Sequence, residues 1–128
     1  MPDMARILIA EDDESMLNFL SLALERAGHE TVSAKNGTDA LTALEKNDTF
    51  DILLTDIVMP GIDGIELSTR AKEIHPSIEI MLITGFAAMA MKHAEEAENT
   101  NTQMLSKPFH LNDLVEKVED LLKNKLNP

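Results

Sequence analysis

The sequence predicts an α/β protein, a doubly wound parallel five-stranded sheet with helices on both faces, and three observations carry that reading. Short apolar runs alternate with segments of helical period, in (βα)5 order along the 128 residues, as in a chain wound by right-handed crossovers. The strongest runs are continuously apolar, as strands covered on both faces are. Three of them stop at distinctive groups: Ile7-Leu8-Ile9-Ala10 at Glu11-Asp12-Asp13, Ile52-Leu53-Leu54-Thr55 at Asp56, and Met104-Leu105-Ser106 at Lys107-Pro108. Ligand sites of open α/β sheets lie at such carboxyl ends.

After the first strand, Met16 or Leu17, Leu20, Ala23, Leu24 and Ala27 recur at helical spacing up to Gly28, a good left-handed terminator. Glu30-Thr31-Val32-Ser33-Ala34 alternates weakly and carries little apolar weight, which predicts an edge strand. Gly37-Thr38-Asp39 opens a short helix through Ala40, Leu41 and Leu44. The strand before Asp56 follows, and Pro60-Gly61-Ile62-Asp63-Gly64 turns the chain into a helix through Leu67, Ala71 and Ile74 that His75-Pro76 stops. Ile78 to Ile83 reads as a fourth strand ending at Thr84-Gly85, and Ala87 to Glu98 as a helix rich in Ala and Met. The last strand surrounds Met104 and Leu105, and Leu111, Leu114, Val115, Val118, Leu121 and Leu122 mark the final helix.

The length suits one domain spanning residues 1–128, and 44% hydrophobic residues can fill one core. No linker or second domain is visible. A net charge of −12 repels phosphate backbones and anionic lipid, so neither nucleic acid nor membrane is an expected partner, and a cation or a basic protein surface is. No apolar stretch approaches the roughly 20 residues that span a bilayer, and a strand pattern begins at once after Arg6, so the expected location is the cytoplasm. The absence of cysteine excludes disulfides and thiolate chemistry.

Glu11, Asp12 and Asp56 would repel one another if three parallel strands packed them together, so the cluster calls for a cation. Carboxylate oxygens without Cys or paired His favour Mg²⁺, with Mn²⁺ as the alternative, and Mg²⁺ commonly shares its shell with phosphate oxygens. The implied substrate is a phosphoryl group with Asp56 as nucleophile. The Lys107 ammonium and the Thr84 hydroxyl would then meet charge on its oxygens. Asp13 and Glu14 have a plainer reading as the cap and first-turn acid of the following helix. His29, His75, His93 and His110 show no metal-ligand spacing and read as structural or solvated. Met89, Met91 and Met104 read as core filler, with an adaptable contact surface as the alternative.

Taken in order, these motifs resemble the receiver domain of two-component response regulators over nearly the whole chain. They are Glu11-Asp12 after the first strand, Asp56 with Pro60-Gly61 and Asp63-Gly64 behind the third, Thr84-Gly85 after the fourth and Lys107-Pro108 after the fifth. The resemblance implies the flavodoxin-like strand order 2-1-3-4-5. It further implies that Asp56 accepts a phosphoryl group from a histidine kinase or histidine phosphotransfer protein. Asp12, Asp56 and the Val58 backbone carbonyl would bind Mg²⁺, with Glu11 acting through water. Thr84 and Lys107 would contact phosphoryl oxygens, and the bond before Pro108 would be cis. Thr84, Phe86 and Met104 would form the switch and readout group. Met104 departs from the pattern, because receivers often carry Tyr or Phe three residues before the lysine. Val58 and Phe86 would flank the path of hydrolytic water and slow self-hydrolysis.

No output domain follows the last predicted helix, so the expected signal leaves by protein contact through the face of the fourth helix, fifth strand and fifth helix. Residues 5–17 and 83–88 look like a stand-alone branch of the family, which implies control of the ClpXP protease and ClpX as a partner.

Two other classes compete. A Mg²⁺-dependent phosphatase of the haloacid dehalogenase type also uses an aspartyl nucleophile, but it needs a second Asp two residues on, where this chain has Val58. A flavodoxin-like flavin binder needs a loop that welcomes phosphate after the first strand, where Glu11-Asp12-Asp13 would repel one. The expectation is therefore a signalling domain, with self-phosphorylation from small donors and self-dephosphorylation its only chemistry.

Overall fold

The structure, a computed structural model, describes residues 4–46, 49–85, 103–107 and 109–126, with side chains as far as residue 123. Its elements are β1 (Arg6–Ala10), α1 (Glu14–Arg26), β2 (Glu30–Ala34), α2 (Gly37–Lys46), β3 (Ile52–Asp56), α3 (Gly64–Ile74), β4 (Glu79–Thr84), β5 (Gln103–Ser106) and α4 (Leu111–Leu126). All strand pairs are parallel, and the order is β2-β1-β3-β4-β5. The helix predicted over Ala87 to Glu98 lies outside the described residues.

The period of two along the central strands divides the core into two layers. Ile7, Ile9, Ile52, Leu54, Met81 and Ile83 face α1 and α4, where they meet Leu17, Leu20, Leu24, Leu114, Val118 and Leu121. Leu8, Ala10, Leu53, Ile80 and Leu82 face α2 and α3, against Leu44, Leu67 and Ala71. Every residue of β3 is buried, which is why the strand opens with the continuous apolar run Ile52-Leu53-Leu54. β2 has only Ala34 fully buried and lies at the edge, as its weak alternation predicts.

Helix boundaries follow local chemistry. Asp13 caps α1, its Oδ1 accepting from the amides of Ser15 and Met16 at 3.0 and 3.2 Å. Gly28, at φ 100°, takes the left-handed turn that releases the chain into β2. Asp63 caps α3 by accepting from Glu66 N–H at 2.8 Å. α2 opens at Gly37-Thr38-Asp39 as the sequence predicts, and Asn36 before it caps the helix, its Oδ1 accepting from the Asp39 amide at 2.7 Å. β4 runs one residue later than its apolar run at each end, because Thr84 pairs with Ser106 of β5 and Glu79 with Ile52 of β3.

The order of connection reverses between β1 and β3. In doubly wound sheets a crevice opens outside the carboxyl ends of strands at that point, and here Glu11, Asp12 and Asp56 lie there.

Candidate functional site

Backbone pairing delivers the site residues to one end of the sheet. Glu11 follows β1, and its amide extends the ladder by donating to the Ala34 carbonyl at 3.1 Å. Asp56 is the last residue of β3 and pairs with Ile83. Lys107 follows β5, and its amide donates to the Thr84 carbonyl at 2.7 Å, which ties the ends of β4 and β5 together.

The side chains then converge. Lys107 Nζ donates to Asp56 Oδ2 at 3.0 Å and to Glu11 Oε1 at 3.2 Å, so one ammonium bridges two carboxylates from different strands. Its stem passes Gly85, where an added Cβ would lie 3.8 Å from Lys107 Cδ. Glu11 is 1% exposed and Asp56 7%, whereas Asp12 faces solvent. Oxygen atoms of these three carboxylates all lie within 4.8 Å of one another.

The electrostatics follow from this crowding. Burial pushes the Glu11 carboxyl up to about 7, helped by the charge of Asp56 and opposed by the Asp13 amide and Lys107. Burial also disfavours the Lys107 ammonium, yet the Asp56 hydrogen bond and charge, joined by those of Glu11, outweigh it and hold the amine above its ordinary value. Lys107 thus pairs with two carboxylates while Asp12 stands close to both, and the excess negative charge is what a hard divalent cation balances. Oxygen donors alone, with no His or Cys in the group, suit Mg²⁺ or Mn²⁺.

Each residue singled out in the sequence can now be placed. Glu11, Asp12, Asp56 and Lys107 are brought together. Thr84, 1% exposed, ends β4 beside them through its carbonyl bond to Lys107. Val58 leaves its side chain half exposed in the loop after β3. Met104 pairs with Leu82 and packs, partly buried, against the layer on the α2 and α3 side. Phe86, Pro108, Met89, Met91 and His93 lie outside the described residues. Of the other histidines, His29 Nδ1 accepts the Ala5 amide at 3.0 Å and His75 Nε2 lies 3.0 Å from the Leu44 carbonyl, both structural roles.

Two contacts near the site were not evident from the sequence. Thr55 donates its hydroxyl to the Asp56 carbonyl, and Gly64 abuts that same oxygen. The available signals were a hydroxyl inside an apolar run and a glycine opening a helix.

This chain belongs to the response regulator receiver domain family, whose profile matches residues 7–119. Among curated proteins it is 51% identical over 119 residues to the response regulator receiver protein CpdR of Brucella abortus, covering 93% of this chain and 98% of that protein. It is 30% identical to sporulation initiation phosphotransferase F of Bacillus subtilis, over 95% of this chain and 97% of the relative. Among solved structures, a CheY-like receiver domain protein from Methanospirillum hungatei superposes with a TM-score of 0.85 at 29% identity, covering 96% of this chain and 97% of the other. No helix of the described residues is long and apolar enough to cross a membrane.

Proposed function

We propose that Asp56 is the phosphoacceptor of this response regulator receiver domain, taking a phosphoryl group from the phosphohistidine of a histidine kinase or histidine phosphotransfer protein in the cytoplasm. The observation that carries this reading is the lysine bridge, with Lys107 Nζ 3.0 Å from Asp56 and 3.2 Å from Glu11 at the carboxyl end of the sheet. A phosphoryl group arriving at Asp56 meets an ammonium already aimed at the acceptor oxygens.

In the transfer, an Asp56 oxygen bonds to phosphorus as the bond from phosphorus to the donor imidazole breaks. The electron pair returns to the ring nitrogen, which leaves as neutral imidazole when the other ring nitrogen carries a proton. Lys107 exchanges its bond to Asp56 for one to a phosphoryl oxygen, and the Thr84 hydroxyl donates to another. Mg²⁺, or Mn²⁺, held by Asp12, Asp56 and the Val58 carbonyl with Glu11 acting through water, would supply charge neutralisation. Hydrolysis of the acyl phosphate returns the carboxylate, so the chemistry is confined to self-phosphorylation from small donors and self-dephosphorylation.

Phosphorylation adds about −1.5 to −2 charge to a site already rich in carboxylates. A Lys107 and Thr84 drawn toward that charge would bias β5, where the half-buried Met104 thioether can follow without a fixed aromatic rotamer. The readout surface combines β5, α4 and the segment 87–98. Likeness to CpdR supports the finer reading that the partner is ClpX and that the unphosphorylated form promotes delivery of substrates to ClpXP.

Acetyl phosphate with Mg²⁺ should label the parent and leave Asp56→Ala unlabelled; an acyl phosphate persisting on the variant would overturn the assignment. Immobilised ClpX should retain the unphosphorylated protein and release it on phosphorylation. Retention that ignores phosphorylation would remove ClpXP from the reading and leave the phosphoacceptor intact.

A further inference from the structure

Thr55 is a polar residue where packing alone asks for an apolar one. It is 0% exposed, its strand neighbours are Ala10 and Leu82, and Met59 Sδ lies 4.0 Å from its hydroxyl. Valine has nearly the same shape and would fill that space. The hydroxyl instead donates to the backbone carbonyl of Asp56 at 2.9 Å.

That carbonyl begins a chain of fixed peptide planes. The plane joining Asp56 to Ile57 is held at its oxygen by Thr55 and at its N–H by the Ile83 carbonyl, 3.0 Å away. The next plane is held where the Ile57 carbonyl accepts from the Gly64 amide at 2.8 Å. Gly64 also bounds the Asp56 oxygen from the α3 side, since a Cβ there would overlap it. The Asp56 side chain leaves from the Cα at the start of this series, and the Val58 carbonyl is the next oxygen after it.

We infer that Thr55 is a positioning residue for phosphoryl acceptance: its hydroxyl, bonded to the Asp56 carbonyl, orients the peptide from which the Asp56 carboxylate and the Val58 carbonyl reach the cation. The inference rests on the phosphoacceptor reading and assigns part of its geometry to a side chain that touches neither metal nor phosphoryl group. A carboxylate swung by a freed peptide plane would still be present, but it would miss the attack geometry.

The test compares the full-length parent with Thr55→Val and Thr55→Ser, and separately Thr55→Ser with Thr55→Ala, a pair that leaves similar space and differs in the hydroxyl. Three readouts are taken: thermal unfolding, Mn²⁺ affinity by electron paramagnetic resonance, and the rate of acetyl phosphate labelling at saturating Mg²⁺. Thr55→Val should fold, bind Mn²⁺ about fivefold more weakly and label about fivefold more slowly, as expected for one lost hydrogen bond. Thr55→Ser should restore both to within about twofold, and Thr55→Ala should resemble Thr55→Val. If Thr55→Val does not fold, the Ser and Ala pair decides by the same criterion. Parent-like Mn²⁺ affinity and labelling in Thr55→Val, or no difference between Ser and Ala, would overturn the inference while leaving Asp56 as acceptor. A parent that takes no label at Asp56 would overturn the phosphoacceptor reading itself.

Discussion

The two ends of the sheet both hold buried ionisable groups, and they treat them in opposite ways. At the amino end, Asp51 Oδ2 accepts the Arg6 amide at 2.8 Å, Arg6 lies 4.9 Å over the Phe50 ring and 3.6 Å from Glu30, and His29 accepts the Ala5 amide. Asp51 and His29 there each take a backbone amide, and Arg6 pairs with Glu30, so charges of opposite sign are matched. At the carboxyl end, Glu11, Asp12 and Asp56 crowd together with one lysine bonded to two of them, and burial pushes the Glu11 carboxyl up to about 7. Charge that is balanced within the fold serves stability. Charge left in excess is available to bind and react.

Glu11→Gln should break the contrast most strongly. It removes one negative charge while keeping an oxygen for Lys107, so the metal-free protein should melt several degrees higher and Mg²⁺ affinity should fall about tenfold. Thermal scans with and without Mg²⁺ check both halves, and a variant that loses stability without metal would mean that the crowding is harmless.

Asp51→Ala is the counterpart at the other end. Leaving the Arg6 amide without its acceptor should cost about 1–3 kcal/mol in denaturant unfolding, with acetyl phosphate labelling per folded molecule unchanged. A labelling defect beyond the loss of folded protein would show that the two ends are coupled.

The smallest effect is a pH slope. Burial lowers the His29 pKa from 6.5, and Glu119 only partly opposes it. Below pH 6.5 the unfolded chain binds a proton that the folded one refuses, so this contribution to stability is present above that pH and is lost as the pH falls through it. Between pH 7.5 and 5.5 the parent should lose up to about 1.4 kcal/mol more than His29→Gln, measured by urea titration at both pH values. Equal slopes would mean that His29 charges freely in the fold. Its Nε2 is buried and has no hydrogen-bond partner among the described residues, which argues that it does not.

The sequence was most legible where one local signal decides the outcome. An unbroken apolar run ending in an acid located β3 and Asp56, a weak alternation placed β2 at the edge, and Asp13 was recognisable as a cap from its position alone. Asn36 was less legible because Gly37 beside it is the louder turn signal, although the asparagine makes the bond. Thr55 was silent for a different reason. Threonine is an ordinary strand residue, and its bond to the next carbonyl depends on the peptide geometry at the strand end. Lys107 was expected over the acids, but its simultaneous grip on Asp56 and Glu11 needs three strand ends in register, a relation between residues nearly a hundred positions apart.

Two glycines frame the loop after β3. A Cβ on Gly37 would overlap the Ile62 carbonyl, and one on Gly64 would overlap that of Asp56, so the segment from 57 to 63 is held at one end by β3 and near the other by α2. Such a segment acts as a ruler. An exposed side chain such as Val58 can vary, whereas Ile57 and Met59 are held in the core, and the length cannot change, because one extra residue would lift Ile62 off Gly37 or α3 off the acceptor strand. Among relatives of this chain, insertions and deletions should therefore stay out of this stretch even where an exposed position such as Val58 is substituted.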